Sequence, residues 1–155
     1  MKPINIVLYC PEIPQNTGNI SRTAAVTGAR LHIIKPIGFE ISDRTLKRAG
    51  LDYWDSLDVT YYESYEDFLE KNSGAKLYFF SSHAEKSFAD IEYPDSVYLV
   101  FGRESVGLPR ELVEKNLSRS VRIPMREGKR CLNLSNSVAV AVYEVLRQNR
   151  YFGLV

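Results

Sequence analysis

Cysteine, histidine and methionine are scarce in this 155-residue chain, two of each, and it has a single tryptophan. Cys10 and Cys131 are far apart, form no CxxC pair and have no histidine cluster near them. That pattern argues against a disulfide framework and against zinc, so no metal is expected and each thiol is expected free and buried. Charge of one sign is lacking too: 20 basic residues stand against 19 acidic ones, a formal net charge of +1. Bulk attraction to nucleic acid is thereby excluded, and a polyanion would have to be held by local basic clusters, summed over an oligomer. No apolar run approaches the ~20 residues that span a bilayer, and the N-terminus lacks a signal-peptide pattern. The expectation is a cytoplasmic protein with no membrane partner. Repeats, low-complexity tracts and linkers are also missing. With 45% hydrophobic residues, residues 1–155 are expected to form one domain with a sizeable core.

The familiar signatures of nucleotide and nucleophile chemistry are absent as well. The chain holds no Walker A pattern, no GxGxxG fingerprint and no GxSxG elbow. Glu12 and Glu104 are available as paired carboxylates, but no spacing demands that pairing.

What is present is an alternation of apolar strands and helices. Asn5–Tyr9, Arg30–Ile34, Val59–Tyr62, Lys76–Phe80, Val97–Phe101 and Val121–Ile123 read as six strands. Most of them are continuously apolar, as strands covered on both faces are. His32 reads as a satisfied core or rim residue. Asn16 or Thr17 is expected to cap the first helix and Gly28 to end it. Ser42 is expected to cap a short helix carrying Arg44, Lys47 and Arg48, and Ser64 to open a capping box before Phe68–Lys71. Arg22 shares a face with small residues and reads equally as an interface or site residue or as a surface residue. In the last helix, Leu134, Val138, Ala141, Val142 and Val145 form one apolar stripe, and Ala139, Tyr143 and Leu146 a second. Two stripes suggest burial on two sides, one of them against another subunit. The pattern is that of an α/β domain with a mainly parallel sheet flanked by helices. Ligands in such sheets sit beyond the carboxyl ends of the strands. Three loops there are rich in Gly, Pro and polar side chains: 11–18, 102–109 and 124–136. Two basic clusters, Arg44/Lys47/Arg48 and Arg126/Lys129/Arg130, are candidates for phosphate contacts or simply solvated faces.

Asn16-Thr-Gly-Asn-Ile-Ser-Arg22, Phe101-Gly-Arg-Glu-Ser-Val-Gly-Leu-Pro109, and Ile123-Pro-Met125 with Asn133-Leu-Ser-Asn136 resemble the three ordered motifs of the SPOUT superfamily of RNA methyltransferases. The likeness is to its minimal tRNA 2′-O-methyltransferases acting on the wobble nucleotide, C34 or U34, and it covers nearly the whole chain. Arg103, where relatives often have Pro, and Cys131, where some have Ser, depart from it. The resemblance implies a C-terminal deep trefoil knot, a homodimer, tRNA as partner and S-adenosylmethionine (AdoMet) as methyl donor. Phe80, Gly102, Ile123, Cys131, Leu132 and Asn133 match the cofactor contacts. Arg22 matches the arginine that acts on the ribose hydroxyl, and Asn16, Glu104, Ser135, Asn136 and Tyr143 match the polar set around it. Arg44, Lys47, Arg48, Lys129 and Arg130 then become the expected RNA grip. The alternatives are methylation of another tRNA or rRNA ribose, and a non-catalytic AdoMet- or RNA-binding knot protein. A dinucleotide oxidoreductase is disfavoured by the missing glycine fingerprint.

Overall fold

A computed structural model describes residues 2–40, 54 and 56–155. Among the described residues, seven parallel strands make one sheet: β1 (Asn5–Tyr9), β2 (Arg30–Ile34), β3 (Val59–Tyr62), β4 (Lys76–Phe80), β5 (Lys86–Ser87), β6 (Val97–Phe101) and β7 (Ser120–Arg122). Their order is β3-β2-β1-β6-β4-β7-β5, with each pairing parallel. The expected six strands become seven because Lys86 and Ser87 pair with Val121 and Arg122 at one edge. Two residues carry too little periodicity to announce a strand. The last expected strand lies one residue earlier, at Ser120–Arg122.

Alternation along the strands sorts the core into two layers. Ile6, Leu8, Leu31, Ile33, Leu99 and Phe101 face one side, under α1 (Pro14–Thr27) and α4 (Leu134–Gln148). Val7, Ile34, Phe79 and Val100 face the other, under α2 (Tyr65–Lys71) and α3 (Arg110–Lys115). Both faces are covered, which is why the strands read as unbroken apolar runs. His32 is the polar exception in β2. Its Nδ1 lies 2.8 Å from the Tyr62 hydroxyl and its Nε2 3.1 Å from Asn5 Oδ1. Asn5 in turn donates to the Val97 carbonyl, so the ring is a satisfied core residue. Burial pushes its pKa down to about 4; Asp58 opposes the fall and Arg30 adds to it.

Helix ends follow local chemistry. Ser64 caps α2 by accepting from Asp67 N, and Asp67 Oδ2 accepts from Glu63 N. At the start of α1 the expectation fails: Pro14 occupies the first turn, Ile13 is the cap residue, and Asn16 and Thr17 lie inside the helix. Proline suits that position because its missing N–H is one the helix leaves unpaired anyway. Gly28 ends α1 at φ +71°, as expected. The helix expected to carry Arg44, Lys47 and Arg48 falls outside the described residues. No described helix is long and apolar enough to cross a membrane. The two thiols are both free, yet only Cys10 is buried; Cys131 is exposed because it sits on the polar loop before α4 rather than in the core.

Helix α4 packs on α1 and β6. Val138, Ala141, Val142, Val145 and Leu146 are all buried within this chain. Leu146, read as part of the second stripe, is thus buried with the first. Val140 and Tyr143 remain exposed. Gln148 anchors the helix end: Nε2 donates to the Ile91 carbonyl and Oε1 accepts from Tyr93 N.

Candidate active site

The strand order reverses between β1 and β6, and a cleft of about 500 Å³ opens beside that point, past the ends of β4 and β6 and the segment after β7. The size is typical of small-molecule sites. Three loops widely separated in sequence form its walls, and hydrogen bonds tie them together.

The first wall follows β1. Cys10 turns the chain with φ +51°, a left-handed conformation that costs a non-glycine residue about 1–2 kcal/mol. Two backbone bonds hold the bend, Cys10 N to the Ile34 carbonyl (2.9 Å) and Gly38 N to the Pro11 carbonyl (2.9 Å). Glu12 Cα stands where it would be only 3.0 Å from a Cβ on residue 38, so glycine lets the two segments approach without either having to shift. Burial pushes the Cys10 thiol pKa up, against the opposing pull of the positive charge on Arg103.

The second wall is the 102–108 loop after β6. Arg103 and Gly107 exchange backbone bonds of 3.2 and 2.9 Å, folding the loop back on itself. Gly107 supplies φ +71° for the turn. A Cβ on Gly102 would sit 2.1 Å from both the Gly107 carbonyl carbon and Leu108 N, so only glycine lets the two backbones approach.

The third wall is the segment from Ile123 into α4. Asn133 caps α4: its Oδ1 accepts from Ser135 N at 2.9 Å and Asn136 N at 3.3 Å. The Ser135 hydroxyl donates to the same oxygen.

Glu104 and Asn16 join the walls. Glu104 Oε2 accepts from Glu12 N (2.8 Å) and Oε1 from Ile13 N (3.0 Å) and Asn16 Nδ2 (3.4 Å). Asn16 Oδ1 then accepts from Asn133 Nδ2 at 3.0 Å. One polar chain thus runs from the second loop through the start of α1 to the cap of α4. Glu12 accepts from the Ser105 hydroxyl (2.7 Å). Each carboxylate is engaged by donors, so Glu12 and Glu104 brace the loops rather than forming an acid–base pair.

Of the residues singled out from sequence, Asn16, Phe80, Gly102, Glu104, Ile123, Arg130, Cys131, Leu132 and Asn133 line this cleft. Ser135 is buried behind it, bonded to Asn133, and Asn136 is exposed on the first turn of α4. Arg22, Lys129 and Tyr143 are exposed and outside the lining. Arg44, Lys47 and Arg48 are outside the described residues. Sequence reasoning missed Ile13, Ser81, His83, Met125 and Ser137 as lining residues. Ser81 and His83 follow the end of β4, and Ile13 and Met125 lie in the Gly- and Pro-rich loops, which was the available signal; Ser137 sits inside α4. Among the described residues no acidic, cysteine and histidine side chains group as a metal site.

The geometry can be set beside known proteins. Escherichia coli K12 tRNA (cytidine(34)-2′-O)-methyltransferase is 46% identical, over 98% of each chain. A Listeria innocua protein that carries the same name provisionally is 49% identical, over 99% of this chain and 92% of its own. The structure "Structural insights into the 2-OH methylation of C/U34 on tRNA" superposes with a TM-score of 0.89 at 45% identity, covering 97% of this chain and 98% of that one. The AdoMet complex of Streptomyces viridochromogenes AviRb, at 22% identity, shares the fold, with a TM-score of 0.84 over 96% of this chain and 58% of its own. The model of the SpoU rRNA Methylase family matches residues 3–143, and the chain belongs to that family.

Proposed function

We propose that this protein transfers a methyl group from AdoMet to the ribose 2′-hydroxyl of the wobble nucleotide, C34 or U34, of tRNA. The observation that carries the reading is the cleft braced by the Glu104–Asn16–Asn133 chain, in which the three motif loops meet. The family name speaks of rRNA, but relatives matching end to end at 46% identity are named for position 34 of tRNA, and that favours tRNA.

The cleft suits AdoMet. Phe80, Ile123 and Leu132 offer apolar surface for a purine, while Asn16, Asn133 and the loop backbone offer donors and acceptors for ribose and amino-acid groups. AdoMet, when bound, supplies a methyl carbon on a positively charged sulfur. The residues of this chain must then align the ribose and stabilise its developing alkoxide. Arg22 is assigned that task. A guanidinium stays protonated at ordinary pH, so it orients and stabilises while phosphate or solvent takes the proton. Ser135 and Asn136 on the first turn of α4, and Tyr143 further along it, are assigned to the polar set around the ribose, and Lys129 and Arg130 to the RNA grip. Arg22 is exposed on α1 and outside its own chain's cleft, which fits a dimer joined through the exposed faces of α1 and α4. The packing of α4 on α1 and β6, with its preceding segment on the cleft wall, is compatible with a C-terminal trefoil knot.

The test is methylation of tRNA by purified protein, with the modified ribose mapped by position. Arg22→Ala is expected to bind AdoMet normally and lose about 10²–10³ in rate. Arg22→Lys should recover little, since one ammonium cannot reproduce the planar fork. Wild-type turnover by Arg22→Ala with unchanged KM for tRNA would make the residue structural.

A further inference from the structure

A second trough of about 520 Å³ opens next to the cleft, and three basic side chains, His83, Arg103 and Arg110, line it. Val106, Gly107, Leu108 and Pro109 complete its walls. His83, Arg103 and the 106–108 segment also line the main cleft, so the two openings are continuous. Arg130 stands on the lining of the cleft, in the loop that also carries Arg126 and Lys129. The cleft is therefore flanked by positive charge on chain segments far apart in sequence. The chain as a whole carries a net charge of only +1, so such local concentration is what a polyanion would find.

The geometry points to a phosphate-binding trough for RNA: His83, Arg103 and Arg110 hold backbone phosphate next to the nucleotide whose ribose enters the cleft. This rests on the tRNA methylation reading, and names where the strand continues once its target is seated. Arg110 is paired to Glu114 through Nε at 3.0 Å, but both side chains are well exposed, at 89% and 59%. An exposed pair of that kind is weak, so a phosphate can compete with the carboxylate for the guanidinium.

The test uses the full-length protein and two exposed positions that line no part of the cofactor cleft. Arg110→Ala should raise the KM for tRNA roughly two- to fivefold, and flatten the log–log salt dependence of tRNA binding by about 0.7, one phosphate contact on a single strand. Glu114→Gln should act in the opposite direction and tighten tRNA binding, because it releases Arg110. AdoMet affinity and kcat at saturating tRNA should stay at wild-type values in both. A purely structural Arg110–Glu114 pair would instead lower the melting temperature in both variants and leave the salt slope untouched, which overturns the inference. Titration with inorganic phosphate separates the sources: sub-millimolar binding of free phosphate that Arg110→Ala abolishes, with tRNA binding unmoved, would make the trough a small-anion site and also overturn it. The outcome stands apart from that of the methylation reading, because tRNA binding and its salt slope are measured without turnover.

Discussion

Single atoms set the tolerance of this site. Gly102 has a backbone neighbour where any other residue has a Cβ, at 2.1 Å. The obstacle is main chain, which has no rotamer to adopt. Gly102→Ala must displace the 107–108 segment, at a cost of about 1–3 kcal/mol for overpacking. Calorimetry should show a lower melting temperature together with weakened AdoMet binding; an unshifted value for both would show that the loop yields freely. His32 gives a pH prediction. Its folded pKa of about 4 lies below the ordinary 6.5 because burial penalises the cation. Between those values the unfolded chain binds a proton that the folded one does not, so stability is full above pH 6.5 and falls as pH drops toward 4. The difference corresponds to about 3 kcal/mol at most. Denaturant melts from pH 7 to 4.5 should show this loss in the wild type and its absence in His32→Gln; equal slopes would place the pH sensitivity elsewhere.

At the scale of elements, α4 both closes the core and presents the cleft. Asn133 divides its side chain between these tasks: Oδ1 caps the helix while Nδ2 reaches Asn16. Asn133→Asp keeps an acceptor for the cap, and a carboxylate there also suits the positive end of the helix. It loses the donor to Asn16 and sets a second carboxylate near Glu104. Thermal stability should therefore stay within about 0.5 kcal/mol, while AdoMet affinity falls. If the two decline in step, the asparagine is a cap and nothing more. At the start of α4 the sequence offers three acceptors, Asn133, Ser135 and Asn136, and the structure uses Asn133. The start of α1 was not legible: two capping candidates, Asn16 and Thr17, lay just inside a helix that Pro14 had already opened.

For the whole molecule the open matter is association. Apolar periodicity marks which residues of a helix avoid water, but not whose atoms cover them. Val138 and Val142 are wholly buried by this chain alone, so Val142→Asp should unfold the protomer, costing several kcal/mol. Tyr143, 46% exposed, and Val140, 42% exposed, are the apolar residues of α4 that a partner could cover. Tyr143→Glu is therefore expected to leave the fold intact by circular dichroism and to shift sedimentation from dimer to monomer. A Tyr143→Glu protein that sediments as a dimer would move the interface off this helix.

The sequence by itself determined the local structure. Continuous apolar runs named β1 to β4 and β6 to the residue, Ser64 named the start of α2, and the ordered motifs named the family. These depend on neighbours along the chain, where period, capping chemistry and proline act within a few residues. What only the tertiary structure decided involves where segments distant in sequence come to lie. Glu104 holds the backbone of Glu12 and Ile13 rather than serving as half of a carboxylate pair. Leu146 turns to the core, Cys131 to solvent, and His83, Arg103 and Arg110 gather beside the cleft. No periodicity or cap encodes such meetings, because they arise where the parallel sheet brings the carboxyl ends of distant strands to one edge.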